Sequence, residues 1–266
     1  MGEGAVERMR GPRAYASFVG IGVAAGLLSG LFGVGGGTII VPLLVLLLGF
    51  NQRLAAGTSL AAIVPTSIVG VTSYALHGAV AWIPALILAA AAVVGAQVGT
   101  RVATRISQPV LRWCFVGFVV IVVVSLFLVI PSRDSQFLLS WFSGVGLVVL
   151  GFGTGVLAGL IGVGGGVIVV PILMLLFGFN DLEAKGTSLM MIIPTAISGT
   201  VGNLRHRNVD LLAATIIGLS ACTMTALGAW LATQFDPKVG NILFAVYLAV
   251  IGVQMGLRAV RDRRKA

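Results

Sequence analysis

The chain has 266 residues, of which 58% are hydrophobic and 9% charged, and a formal net charge of +9. A soluble domain is about 45–50% apolar and about 25% charged. A fold of this size could not hide so much apolar surface behind a polar exterior, so a soluble enzyme and a disordered chain are both excluded. Long apolar runs without alternation argue against an outer-membrane barrel and for an all-α polytopic membrane protein.

In chain order, Arg8, Arg10 and Arg13 precede an apolar run from Tyr15 to Leu48. That run is too long for the core of a cleaved signal peptide. As one straight helix it would also overshoot the hydrocarbon by about 20 Å. It is interrupted by Gly33-Val34-Gly35-Gly36-Gly37, where the chain is expected to turn or unwind and come back. Apolar segments follow near 56–76, 82–104 and 110–130. The order then recurs: a long run near 140–177 broken by Gly162-Val163-Gly164-Gly165-Gly166, then segments near 187–204, 211–232 and 239–257. Arg258, Arg261, Arg263, Arg264 and Lys265 close the chain.

A shift of 129 residues lays residues 22–78 on 151–207 without a gap, with 30 identities in 57 positions. Pro42 pairs with Pro171, Pro65 with Pro194, His77 with His206, and Gly57-Thr58-Ser59-Leu60 with Gly186-Thr187-Ser188-Leu189. The chain reads as one membrane domain made of two repeats, 14–131 and 140–258, with basic tails at 1–13 and 259–266. Letting each glycine-broken hairpin return to its starting side gathers the N-terminus, Arg53, Arg101, Arg105, Arg112, Arg205, Arg207 and the C-terminal cluster on one face. The near-neutral or acidic loops around His77–Trp82, Arg133/Asp134, Asp181/Glu183/Lys185 and Asp236/Lys238 fall on the other. The positive-inside rule makes the first face cytoplasmic, both termini included. Each repeat is then a glycine-broken helical hairpin plus three transmembrane helices, and the repeats have inverted topology. The limbs after the glycines have about 12 residues, or about 18 Å of helix, so the hairpins either cross under a strong break or re-enter.

Chemistry-bearing residues are few. A helix restarting at the glycines offers free backbone N–H groups and a positive dipole end, which suit an anion. Gly35, Gly36, Gly37 and Gly164, Gly165, Gly166 are therefore candidate substrate-binding residues, with hairpin geometry alone as the other reading. Thr58, Ser59, Thr187 and Ser188 open the next span in each repeat and could donate to the same anion or cap helices. Gly22, Gly26, Gly30 and their copies Gly151, Gly155, Gly159 form a small-xxx-small face for helix packing. His77 and His206 read as interfacial loop residues, Cys114 and Cys222 as packing residues, and Gln97 as polar glue or a substrate contact. All eight acidic residues fall in tails or loops on this reading, which counts against cation transport and carboxylate-relayed proton coupling. No phosphate loop, metal-type spacing, cofactor motif or nucleic-acid patch is present. Gly252 and Gly256 would permit a homodimer, and the basic tails suit anionic lipid.

Gly33-Val34-Gly35-Gly36-Gly37-Thr38-Ile39-Ile40-Val41-Pro42, its copy at 162–171, and the two Gly-Thr-Ser-Leu segments resemble the sulfite exporter TauE/SafE family, also called the TSUP family. The likeness runs over nearly the whole chain. It implies a carrier in the bacterial inner membrane for small sulfur-containing anions such as sulfite or organosulfonates, working by alternating access, with the glycine and Gly-Thr-Ser positions near the path. A passive anion channel and a non-transporting membrane scaffold are the alternatives.

Overall fold

The computed structural model describes residues 11–128 and 141–263. The expected basic residues Arg8 and Arg10, the loop holding Arg133 and Asp134, and Arg264 and Lys265 lie outside them. The described chain is helical throughout: α1 (Pro12–Phe32), α2 (Gly37–Leu48), α3 (Gln52–Ala75), α4 (Trp82–Arg105), α5 (Gln108–Leu128), α6 (Trp141–Ile161), α7 (Gly166–Phe177), α8 (Asp181–Arg205), α9 (Leu211–Gln234) and α10 (Pro237–Arg263). Helices α1, α3, α4, α6 and α9 are each long and apolar enough to cross a membrane. α8 is the repeat partner of α3.

Each glycine run ends one helix and starts another. α1 stops where Gly33 turns left-handed at φ 71° and returns its N–H to the Ser29 carbonyl at 2.8 Å. Gly35 and Gly36 keep positive φ, a region glycine enters without strain, and α2 begins at Gly37. Gly162, Gly164 and Gly165 repeat the pattern before α7. The limbs are unequal. α1 and α6 have 21 residues, whereas α2 and α7 have 12; twelve residues reach about 18 Å, against a hydrocarbon core of about 30 Å.

The main helix contacts join the two repeats. α1 packs on α9 and α6 on α4, α3 packs on α8, and α9 and α4 also pack on α3 and α8 respectively. Gly22, Gly26 and Gly30 let α1 press onto the α9 backbone at Ile217, Ala221 and Thr225; Gly151, Gly155 and Gly159 do the same for α6 at Leu88, Ala92 and Ala96 of α4. Glycine from the other side completes the seam: Gly228 meets Leu27 and Gly99 meets Val156. Small residues allow such approach and bring dispersion contacts that longer side chains would block. The glycine contacts of α1 on α9 thus have counterparts, residue for residue, in those of α6 on α4.

A second reciprocal contact uses the Gly-Thr-Ser segments. The structure corrects their expected place: α3 begins at Gln52 and α8 at Asp181, capped by Asn51 and Asn180, whose side chains accept from Leu54 and Glu183 N–H at 2.8 Å. Gly57 and Gly186 therefore sit more than a turn inside their helices. Gly57 admits the Asn208 carbonyl, and Gly186 the Ala79 carbonyl. The Thr58 hydroxyl accepts the Asp210 N–H, and the Thr187 hydroxyl the Ala81 N–H, each at 3.0 Å. Ala81 and Asp210 are the N-cap residues of α4 and α9, so each repeat anchors the start of a helix of the repeat opposite.

The outermost pair, α5 and α10, packs chiefly on itself. Gly252 faces Val119 of α5, and Gly256 lies near Val116, so both are used within the chain.

Two outcomes follow for purified protein in detergent. Gly26→Leu drives a side chain into the Ala221 carbonyl and should cost about 1–3 kcal/mol or more, seen as a lowered Tm. Gly20→Leu, on the same helix with open space around it, should leave Tm unchanged. Thr58→Val and Thr187→Val keep the shape but leave a buried N–H unpaired, about 1–3 kcal/mol each; Thr→Ser at either position should recover most of that loss.

Candidate functional site

The two glycine tips meet. A Cβ at Gly37 would fall 2.7 Å from Val163 Cα, and one at Gly166 would fall 3.1 Å from Val34 Cα. The first residue of each short helix thus abuts the middle of the opposite tip. Ile63 of α3 and Ile192 of α8, themselves repeat partners, both contact Gly35 and Gly164. Gly35, Gly36, Gly37, Gly164, Gly165 and Gly166 are all buried. The structure brings the six predicted glycines together from both repeats.

The chemistry at the tips comes mostly from the backbone. A helix start leaves its first N–H groups without intrahelical acceptors. At α2, Ile39 and Ile40 N–H turn back onto the Gly36 carbonyl at 3.0 Å; at α7, Ile168 and Val169 use the Gly165 carbonyl at 3.3 Å. The amides of Gly36, Gly37, Gly165 and Gly166 precede those bonds. Because the two helix starts adjoin, their positive dipole ends lie near one another.

Of the four predicted hydroxyl residues, all fully buried, the pairs differ. Thr58 and Thr187 accept amides of the opposite repeat, as described above, and keep a proton to donate. Ser59 Oγ and Ser188 Oγ have no hydrogen-bond partner. Ser188 Oγ lies 2.7 Å from where a Gly166 Cβ would stand, directly against the α7 start. Ser59 is its counterpart, one turn before Ile63 on α3.

Residues outside that set resolve into packing or surface. Thr66 and Thr195 donate to the Ala62 and Met191 carbonyls of their own helices, which satisfies the buried hydroxyls locally. Gln97 of α4 donates to the Ser198 carbonyl at 2.7 Å and hydroxyl at 2.9 Å, and Ser198 donates to Val93, which makes it glue between α4 and α8. His77 and His206 are exposed at the ends of α3 and α8. Cys114 and Cys222 are free thiols.

One expectation is overturned. Asp181 and Lys185 do not lie in a loop. They occupy the opening of α8, and both are buried, 4% and 7% exposed, with Lys185 Nζ 2.9 Å from Asp181 Oδ2. A carboxylate is therefore inside the protein after all. The signal available was the Asp-x-x-x-Lys spacing, which matches an i, i+4 helical pair.

The family model of the sulfite exporter TauE/SafE matches residues 3–126 and 147–266. Among curated proteins, "Probable membrane transporter protein YunE" of Bacillus subtilis (strain 168) is 27% identical over 91% of this chain and 97% of its own length. "Probable membrane transporter protein YdhB" of the same organism is 29% identical over 80% of this chain and 88% of its own. A "Probable membrane transporter protein" of Xylella fastidiosa (strain 9a5c) is 29% identical over 88% and 93%. No solved structure matches. With both repeats matched and a helical membrane fold built around paired glycine tips, the chain belongs to the sulfite exporter TauE/SafE family of membrane transporters.

Proposed function

We propose that this transporter exports small sulfur-containing oxyanions, such as sulfite or organosulfonates, across the bacterial inner membrane by alternating access around the paired tips, with both termini cytoplasmic. The observation that carries the reading is the pair of buried, unpartnered hydroxyls, Ser59 and Ser188, set beside adjoining helix starts. A buried hydroxyl without a partner costs about 1–3 kcal/mol. An oxyanion at the tips gives both a partner and places its charge at two positive dipole ends. Gly35, Gly36, Gly37, Gly164, Gly165 and Gly166 supply the close backbone, Ser59 and Ser188 donate directly, and Thr58 and Thr187 hold the spans that carry them while offering their own protons.

No bound metal or cofactor is needed for such binding, since every donor belongs to the chain. Export is also electrically favourable: each negative charge gains about 2.3 kcal/mol per 100 mV on leaving a negative interior. The reciprocal contacts between the repeats support the mechanism, because halves of inverted topology can rock about a fixed central site.

The test is flux in proteoliposomes with sulfite, sulfoacetate, sulfate and chloride. Gly36 holds φ 80° and faces the Ala25 carbonyl, so Gly36→Leu, and likewise Gly165→Leu, should abolish flux while the protein still inserts. Ser59→Ala and Ser188→Ala should each weaken binding by roughly tenfold or more, the worth of one hydrogen bond to a charged group. Normal flux in either leucine variant sinks the site. Single-channel currents would replace alternating access with a pore.

A further inference from the structure

The face of α8 that reaches the tips runs on to the buried ion pair. Asp181, Lys185, Ser188 and Ile192 follow at spacings of four, three and four residues, which place them on one helical face. Ile192 touches Gly35 and Gly164, Ser188 touches Gly166, and the Lys185 stem lies on Gly33, where a Cβ would fall 2.5 Å from Lys185 Cβ. Beyond it, Lys185 Nζ donates to Asp181 Oδ2 at 2.9 Å. Tyr74 lies against Gly186, the residue after Lys185, and donates its hydroxyl to the Gly30 carbonyl at 2.7 Å. Among the described residues, no other acidic or basic side chain is buried.

The matching face of α3 reads Gln52, Ala56, Ser59 and Ile63. The two inner positions are identical to those of α8, and the two outer ones are uncharged. Ala56 packs on Gly162 as Lys185 packs on Gly33, so this joint closes without charge in the other repeat. A buried ion pair adds little net stability over apolar side chains of similar volume. The charges at 181 and 185 therefore have a use other than closing the joint.

Resting on the oxyanion reading above, we infer that Lys185 is a second anion station, one turn outward from Ser188, and that Asp181 is its resident competitor. An oxyanion passing between the tips and the α8 start displaces the Asp181 carboxylate from Lys185, and the carboxylate later displaces the anion. The exchange leaves no buried cation unpaired. The released carboxylate is the first residue of α8, where the helix dipole favours a negative charge. Lysine suits this role as a compact point charge with rotatable donors rather than a fixed fork. The path is charged on the α8 side and neutral on the α3 side.

The experiment compares wild type, Asp181→Asn and Asp181→Asn/Lys185→Met for sulfite flux in proteoliposomes and for sulfite-dependent thermal stabilisation in detergent. Asp181→Asn removes the competitor, so half-saturating sulfite should fall by about tenfold. The double variant removes both charges; its Tm without sulfite should match wild type, and its half-saturating sulfite should rise by about tenfold. A folded double variant with wild-type sulfite dependence overturns the station and leaves the tip site standing. If the double variant does not fold, Asp181→Asn decides alone, and unchanged or weakened sulfite dependence there overturns the station. Wild type that neither binds nor moves sulfite removes the oxyanion reading itself, and the station with it.

Discussion

A helix interrupted at membrane depth exposes backbone groups that lipid cannot satisfy, and this constraint organises the molecule. The chain interrupts itself twice, at Gly33–Gly37 and at Gly162–Gly166, and each interruption is covered by the other repeat. Gly33 is closed by Lys185 and Gly162 by Ala56, while Gly37 and Gly166 lie against Val163 and Val34. Cover from the same repeat is added at Gly36 by Ala25 and at Gly165 by Thr154. The long seams follow the same rule, since α1 rests on α9 and α6 on α4. The main helix contacts therefore run between the repeats rather than within them. A defect at one seam removes cover from the tip of the partner repeat as well as its own.

The Gly-Thr-Ser segment shows how three adjacent residues serve three directions. Successive helical side chains diverge by about 100°. In α3, Gly57 admits a carbonyl from the α8–α9 connection, Thr58 holds the N-cap amide of α9, and Ser59 is left for the interior. In α8 the same order admits Ala79, holds the N-cap amide of α4 and sets Ser188 on Gly166. The clasp and the candidate binding hydroxyl are therefore mechanically joined. Any rotation of α3 or α8 that re-aims the serine also loads the opposite repeat's helix cap. Such coupling ties events at the tips to the position of α4 and α9 without a separate relay.

Much of this was legible from residues alone because it is local or repeated. The glycine runs announce the breaks, apolar length gives the helices, and the 129-residue shift says that Gly26 and Gly155 must do the same work. What stayed hidden depends on long-range contact. The start of α3 was placed near Gly57, because Asn51–Ala56 adds little apolar signal, yet Asn51 caps the helix and draws it forward. Thr58 could be read as a cap, but its partner lies 152 residues away at Asp210. Asp181 and Lys185 looked like loop residues because charge beside an apolar run is usually solvated. Their burial is decided by Gly33, Tyr74 and the α1 end, none of which is near in sequence.

Reciprocal packing also fixes where directional behaviour can originate. On the alternating-access reading proposed above, identical repeats would return the same energy on exchanging their roles, and states open to either side would be equally populated. Any preference must come from positions where the repeats differ and the contact is buried. Lys185 against Ala56 and Tyr74 against Asn203 are two such pairs: Lys185 lies on Gly33 and Tyr74 bonds Gly30, both at the α1 end, whereas Asn203 turns to the Gly199 carbonyl of its own helix. A difference of about 1.4 kcal/mol between the two arrangements shifts their ratio tenfold. On that reading, the buried charged cluster, present in one repeat only, is the position where the two arrangements differ most in chemistry.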